Sequence, residues 1–125
     1  MDDISVLVCD DSALMRNLIG RIVDETTGLK VCGKAENGQD LLDKIPQCNP
    51  DVILLDIEMP VMNGIEATKK LKSDSKYSSI PVVAITAHNL EDFASEFGDA
   101  GFDTILEKPY SEETVLEVLK NLKLL

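Results

Sequence analysis

Apolar positions along the chain recur in two rhythms. Short runs, most of them unbroken, occupy residues 6–9, 30–35, 52–55, 82–86 and 104–106, the pattern expected of parallel strands covered on both faces. Between them the apolar spacing widens to three and four, the helical period. Leu14, Leu18, Ile19, Ile22 and Val23 mark a first helix, with Ser12 as its cap and Gly28 beyond its end. A second is expected to begin near Asn37-Gly38 and to carry Leu41, Leu42 and Ile45, with Pro46 as its stop. A third covers residues 65–71, and a fourth carries Leu90, Phe93, Ala94 and Phe97 and ends near Gly101. The fifth follows Pro109, with Ser111 as cap, Glu112 and Glu113 at its positive end, and Val115, Val118, Leu119 and Leu122 as its buried stripe. The polar stretch KSDSKYSSIP reads as a surface connection.

Strands alternating with helices make an α/β protein. With 125 residues, one domain over residues 1–125 is expected, large enough to bury its own core, with no second, output domain. A composition 44% hydrophobic and 28% charged is ordinary for such a domain, and the formal net charge of −11 opposes binding to nucleic acid or anionic membrane. The acidic N-terminus MDDIS lacks the pattern of a secretory signal, and no apolar run approaches the roughly 18 residues of a membrane span, so a cytoplasmic location is expected. Cys9, Cys32 and Cys48 are odd in number and lack metal-ligand spacing. They predict neither a disulfide framework nor a zinc site, and Cys9 and Cys32 are expected to fill small apolar positions in strands.

Parallel strands joined by helical crossovers bring their C-terminal ends to one edge of the sheet, where ligands bind. The first strand ends in Asp10 and Asp11, the third in Asp56 and the fourth in Thr86, and the fifth runs almost at once into Lys108. Each residue alone has a plain structural use, Asp as a cap, Thr in a strand, Lys as a solvated charge. Jointly they put three carboxylates, a hydroxyl and an ammonium at one place. The acids can hold a hard divalent cation such as magnesium, one of them can act as nucleophile, and Thr and Lys can meet phosphoryl oxygens.

Four segments, VLVCDDSALMR, DVILLDIEMPVMNGIEA, VVAITAH and ILEKPY, in this order, resemble the receiver domain of two-component response regulators, of the single-domain, chemotaxis-receiver-like kind. The resemblance covers nearly the whole chain. It implies a flavodoxin-like (βα)5 doubly wound parallel sheet with strand order 2-1-3-4-5. It implies that Asp56 accepts a phosphoryl group from a phosphohistidine donor, a histidine kinase or histidine phosphotransfer protein, in a Mg2+-dependent reaction. Asp10 and Asp11 then match the magnesium-binding pair, with Asp56 and the backbone carbonyl of Glu58 as further ligands. Thr86 matches the switch hydroxyl, Lys108 the phosphoryl-binding lysine, and Pro109 the proline after a cis bond. Met59, Pro60 and Gly64 match the loop after the acceptor. Ile105 stands where the family commonly carries Tyr or Phe, so the switch is expected to travel through residues 86–97. The resemblance further implies a regulator that catalyses only its own phosphorylation and dephosphorylation, that is monomeric, and that switches binding to an output protein the sequence does not identify.

His88, the only histidine, reads as a solvated loop residue, although with Glu58 it flanks the expected path of a hydrolytic water. Met15 and Met62 read as packing residues. The rival function is a magnesium-dependent phosphohydrolase with an aspartyl-phosphate intermediate. Its nucleophile would sit in a DxD motif on the first strand, which is absent here. A flavodoxin-like cofactor binder is disfavoured by loops rich in Asp, which repel an anionic phosphate.

Overall fold

A computed structural model of the chain describes residues 3–57, 64–86, 101–108 and 110–122. Five parallel strands, β1 (Ile4–Cys9), β2 (Leu29–Ala35), β3 (Val52–Asp56), β4 (Val82–Thr86) and β5 (Thr104–Glu107), form one sheet in the order β2-β1-β3-β4-β5. The helices are α1 (Ala13–Asp24), α2 (Gly38–Cys48), α3 (Gly64–Ser73) and α4 (Glu112–Asn121), the last being the fifth predicted from the sequence. The fourth predicted helix, with Leu90, Phe93, Ala94 and Phe97, lies outside the described residues.

β3 and β4 are buried at every position, which explains their unbroken apolar runs: helices cover both faces, and alternation between faces no longer means alternation between core and water. Val6, Val8, Leu54, Val83 and Ile85 point to one face and pack with Ile19 and Val23 of α1 and Val115 and Leu119 of α4. Leu7, Cys9, Ile53 and Leu55 point to the other and pack with Leu41 and Ile45 of α2 and Ala67 and Leu71 of α3. The expected caps hold. Ser12 Oγ accepts from the Met15 N–H, Asn37 Oδ1 from the Asp40 N–H, and Ser111 and Thr114 form a reciprocal capping box.

Three features differ from what the sequence pattern suggests. Leu14 and Leu18 do not face the core; they are 76% and 42% exposed. Helix α1 carries two neighbouring apolar stripes, and the sheet covers only the one through Ile19 and Val23. Pro46 does not stop α2 but lies inside it. Its missing N–H leaves out one bond to the Leu42 carbonyl, yet the Asn49 N–H still donates to the Ile45 carbonyl at 2.9 Å, and Asn49 itself, at φ 49°, ends the helix in the left-handed region.

The third concerns the cysteines, for which no disulfide was expected. Cys32 of β2 and Cys48 of α2 are bonded across a separation of 16 residues, a closure that contributes about 3 kcal/mol in chain-entropy terms. Local spacing could not reveal the pair, because strand and helix meet only in the packed fold. Cys9 is buried in β1 as expected, and its thiol contacts the Asn37 carbonyl at 3.4 Å.

Gly64 opens α3 hard against the end of β3. A Cβ there would stand 2.6 Å from Ile57 Cα and 2.9 Å from the Asp56 carbonyl oxygen, and backbone cannot step aside as a flexible side chain can. Gly64→Ala is therefore expected to cost about 1–3 kcal/mol of stability and to shift the amide NMR signals of Asp56 and Ile57. Wild-type denaturant midpoint and unshifted signals would show that the contact is not tight.

Candidate functional site at the strand ends

The sheet reverses direction of winding between β1 and β3: the chain leaves β1 outward to β2 and returns to β3 on the other side. At such a switch point the connections diverge and leave a crevice beyond the strand ends. Asp10 and Asp11 follow β1, and Asp56 is the last residue of β3. One carboxylate oxygen from each lies within 4.8 Å of the other two. Asp10 and Asp56 are 2% and 4% exposed, whereas Asp11 is open to solvent.

Asp10 and Asp56 are held from different elements. The Asp10 N–H donates to the Ala35 carbonyl of β2 at 3.1 Å, its Oδ1 accepts from the Ser12 N–H at 2.9 Å, and its carbonyl accepts from Arg16 Nη1 at 2.8 Å. Asp10 is thereby both a turn former and a candidate ligand. Lys108 reaches across from the end of β5, its Nζ 3.5 Å from Asp56 Oδ2 and its backbone N–H bonded to the Thr86 carbonyl at 2.8 Å. Thr86 is fully buried at the end of β4. The structure thus brings together Asp10, Asp11, Asp56 and Lys108, with Thr86 at the neighbouring strand end. Glu58, Met59, Pro60, Met62, His88 and Pro109 lie outside the described residues.

Burial pushes the Asp10 carboxyl up to about 6; the Ser12 N–H opposes the shift and the Asp56 charge adds to it. Asp10 Oδ2 is buried and has no hydrogen-bond partner among the described residues. A buried, unpartnered carboxylate oxygen facing two more carboxylates is the donor set of a hard divalent cation, and an exposed third acid keeps such a cation in touch with water. The three acids fit a metal centre.

Related sequences and structures place the chain in a family. The family pattern described as response regulator receiver domain matches residues 6–120. The chain belongs to the response regulator receiver domain family. The receiver is the phosphoacceptor signalling module of two-component systems, which disfavours the phosphohydrolase. The chain is 56% identical over 87 residues to a protein-glutamate methylesterase/protein-glutamine glutaminase of Treponema denticola, covering 70% of this chain and 23% of that protein. A protein of the same name from Treponema pallidum is 40% identical over 116 residues, 90% of this chain and 28% of that protein. The chain thus spans less than a third of these relatives. Among solved structures, chemotaxis protein CheY4 of Vibrio cholerae superposes with a TM-score of 0.86 at 30% identity, covering 95% of this chain and 98% of that one. The response regulator domain of Thermotoga maritima CheB gives 0.80 at 32% identity, covering 97% and 94%.

Two residues of this receiver site are not evident from the sequence pattern. Arg16 ties α1 to the Asp10 carbonyl, and its position four residues after the Ser12 cap is the available signal. Tyr110, whose hydroxyl is buried without a partner among the described residues, is pushed up to about 12 by burial and then by the charges of Asp10 and Asp56. Its place two residues after Lys108 is the only hint.

The ionised form of Asp10 costs stability, because its folded value of about 6 exceeds the ordinary 3.8. The cost is absent below about pH 4, where folded and unfolded chains both hold the proton, and complete above about pH 6. In chelator, Asp10→Asn is expected to be more stable than wild type by about 2 kcal/mol near pH 7.5 and equal to it near pH 3.5. A gain that is the same at both pH values would trace to something other than buried charge.

Proposed function

We propose that Asp56 is the phosphoacceptor of this receiver and that its phosphorylation, from a phosphohistidine donor in the cytoplasm, changes the affinity of the domain for an output partner. One observation carries the reading: a buried carboxylate at a strand end has an ammonium at 3.5 Å on one side and two further acids within 4.8 Å on the other.

A carboxylate oxygen of Asp56 forms the bond to phosphorus as the P–N bond of the donor breaks, and the imidazole leaves with that electron pair and takes up a proton. The reaction gives an acyl phosphate on Asp56 and a neutral histidine on the donor. Magnesium bound by Asp10, Asp11 and Asp56, with the Glu58 carbonyl as a further ligand, would neutralise charge on the phosphoryl oxygens. Lys108 supplies a fixed positive charge that gains a phosphoryl partner when transfer is complete. The buried Thr86 hydroxyl donates to a phosphoryl oxygen and couples the event to the segment beyond β4. Ile105 pairs with Ala84 of β4 and packs beside Ile57 and Phe102. A short β-branched side chain there has few rotamers, so the switch proceeds without a swinging ring.

Incubation with a small acyl-phosphate donor should add one phosphate to the intact mass in magnesium and none in chelator, and Asp56→Asn should take none in either. An adduct that survives chelation or the Asp56→Asn change would refute the assignment.

Lys108→Ala is expected to stay folded and still accept phosphate. It should lose at least about tenfold of the phosphorylation-dependent change in partner affinity, the worth of one charge-assisted hydrogen bond. A wild-type phosphorylation response in Lys108→Ala would exclude the lysine from the switch.

A further inference from the structure

The Cys32–Cys48 bond lies in a part of the molecule that the receiver chemistry does not use. Along β2 the pairing with β1 slips by one residue: Val6 faces Val31, Leu7 faces Gly33, and Cys32 is passed over. It is the extra residue of a β-bulge, so that two residues of β2 oppose Leu7 alone. Val31 packs on the α1 face, as a regular strand requires, while Cys32 packs on the α2 face with Leu7 and Ile45. Gly33 points the same way. A Cβ on Gly33 would stand 3.1 Å from both Cys48 Sγ and Leu7 Cδ1. Alternation with Val31 already aims Cys32 at α2, and the bulge turns Gly33 to the same face, where its missing side chain makes room for Cys48 Sγ.

The bond is also reachable. Both cysteines are half-buried, and they share an open groove of about 230 Å³ with Gly33, Lys44 and Gln47. The bulge in turn sits directly upstream of the segment that holds the acid cluster. Residues 33–35 pair with Leu7, Val8 and Cys9, and the Ala35 carbonyl takes the Asp10 N–H. Only two residues separate the bulged Cys32 from Ala35.

We propose that Cys32 and Cys48 form a thiol–disulfide exchange site, reversibly reduced by dithiols, whose oxidation state sets how firmly the β2 bulge holds the strand segment bonded to Asp10. In the reduction, a thiolate of the dithiol bonds to Cys48 Sγ while the Cys32–Cys48 bond breaks and Cys32 leaves as a thiolate. The second thiol of the dithiol then displaces Cys48. Two electrons and two protons pass to the protein, and the dithiol ends as a disulfide. Cys48 is the sulfur attacked because it ends α2, where the negative end of the helix makes it the poorer place for a departing thiolate. A disulfide of this kind in a cytoplasmic protein is typically transient or sensing, a step that rests on the location proposed above. The exchange chemistry itself does not.

The test equilibrates the whole chain in buffers of graded reduced-to-oxidised dithiothreitol ratio, quenches with acid and alkylates, with amide exchange measured in parallel. Expected are no labels at the oxidised end and two at the reduced end, on Cys32 and Cys48, reversibly and with the fold retained, while the buried Cys9 stays unlabelled. Amide exchange at residues 33–35 and at Asp10 should quicken severalfold on reduction. Cys32→Ser and Cys48→Ser should show the fast pattern at every ratio, each with a single label at every ratio. Two labels in fully oxidising buffer, reduction only on global unfolding, or unchanged exchange at residues 33–35 and Asp10 would each overturn the proposal.

Discussion

Three carboxylates converge where the sheet changes its direction of winding, and the rest of the site exists to tolerate that repulsion. Two of them are nearly removed from water, so the usual screening of like charges is weak. The fold answers from three directions. The Ser12 N–H satisfies one oxygen of Asp10, Arg16 binds the Asp10 carbonyl, and Lys108 approaches Asp56. Among the described residues, Asp10 Oδ2 keeps no hydrogen-bond partner. The resting domain thus carries an excess of negative charge that a bound cation would reduce and that, in the proposed function, a phosphoryl group held by Lys108 would reorganise. A switch needs two states close in free energy, and a site that is short of positive charge provides them.

Position comes from topology. Because β1 and β3 are neighbours although β2 intervenes in the chain, Asp10 and Asp56 meet across a single strand spacing, and β4 and β5 add Thr86 and Lys108 in order outward. The fully buried β3 and β4 fix Asp56 and Thr86, and the tight start of α3 at Gly64 presses on the backbone of Asp56 and Ile57. Chemistry is carried by residues at strand ends, while the strands themselves are occupied with packing.

Much of this was legible in the sequence, for identifiable reasons. Unbroken apolar runs announce doubly covered strands, and Ser12, Asn37 and Ser111 announce helix starts through local hydrogen bonds that need no tertiary context. The acids, Thr86 and Lys108 were legible because each sits at or just beyond the end of a strand. The features that escaped all depend on contacts between distant segments or on backbone conformation. Which stripe of α1 faces the sheet cannot be told from spacing alone when Leu14 and Leu18 run beside Met15, Ile19 and Ile22. The Cys32–Cys48 bond depends on β2 and α2 meeting in the packed fold, and the bulge beside it has Gly33 as its only local trace. Pro46 is a false stop signal because the helix runs two residues further and is ended by Asn49 in a left-handed conformation.

Thermal melting with a phosphoryl mimic tests the central claim most directly. The mimic is beryllofluoride, added with magnesium, without it, and to Asp56→Asn. If the carboxylate cluster is the constraint that cation and phosphoryl group relieve together, the mimic raises the melting temperature only with magnesium present and only in the protein that retains Asp56. Equal stabilisation without magnesium, or in Asp56→Asn, would contradict the account.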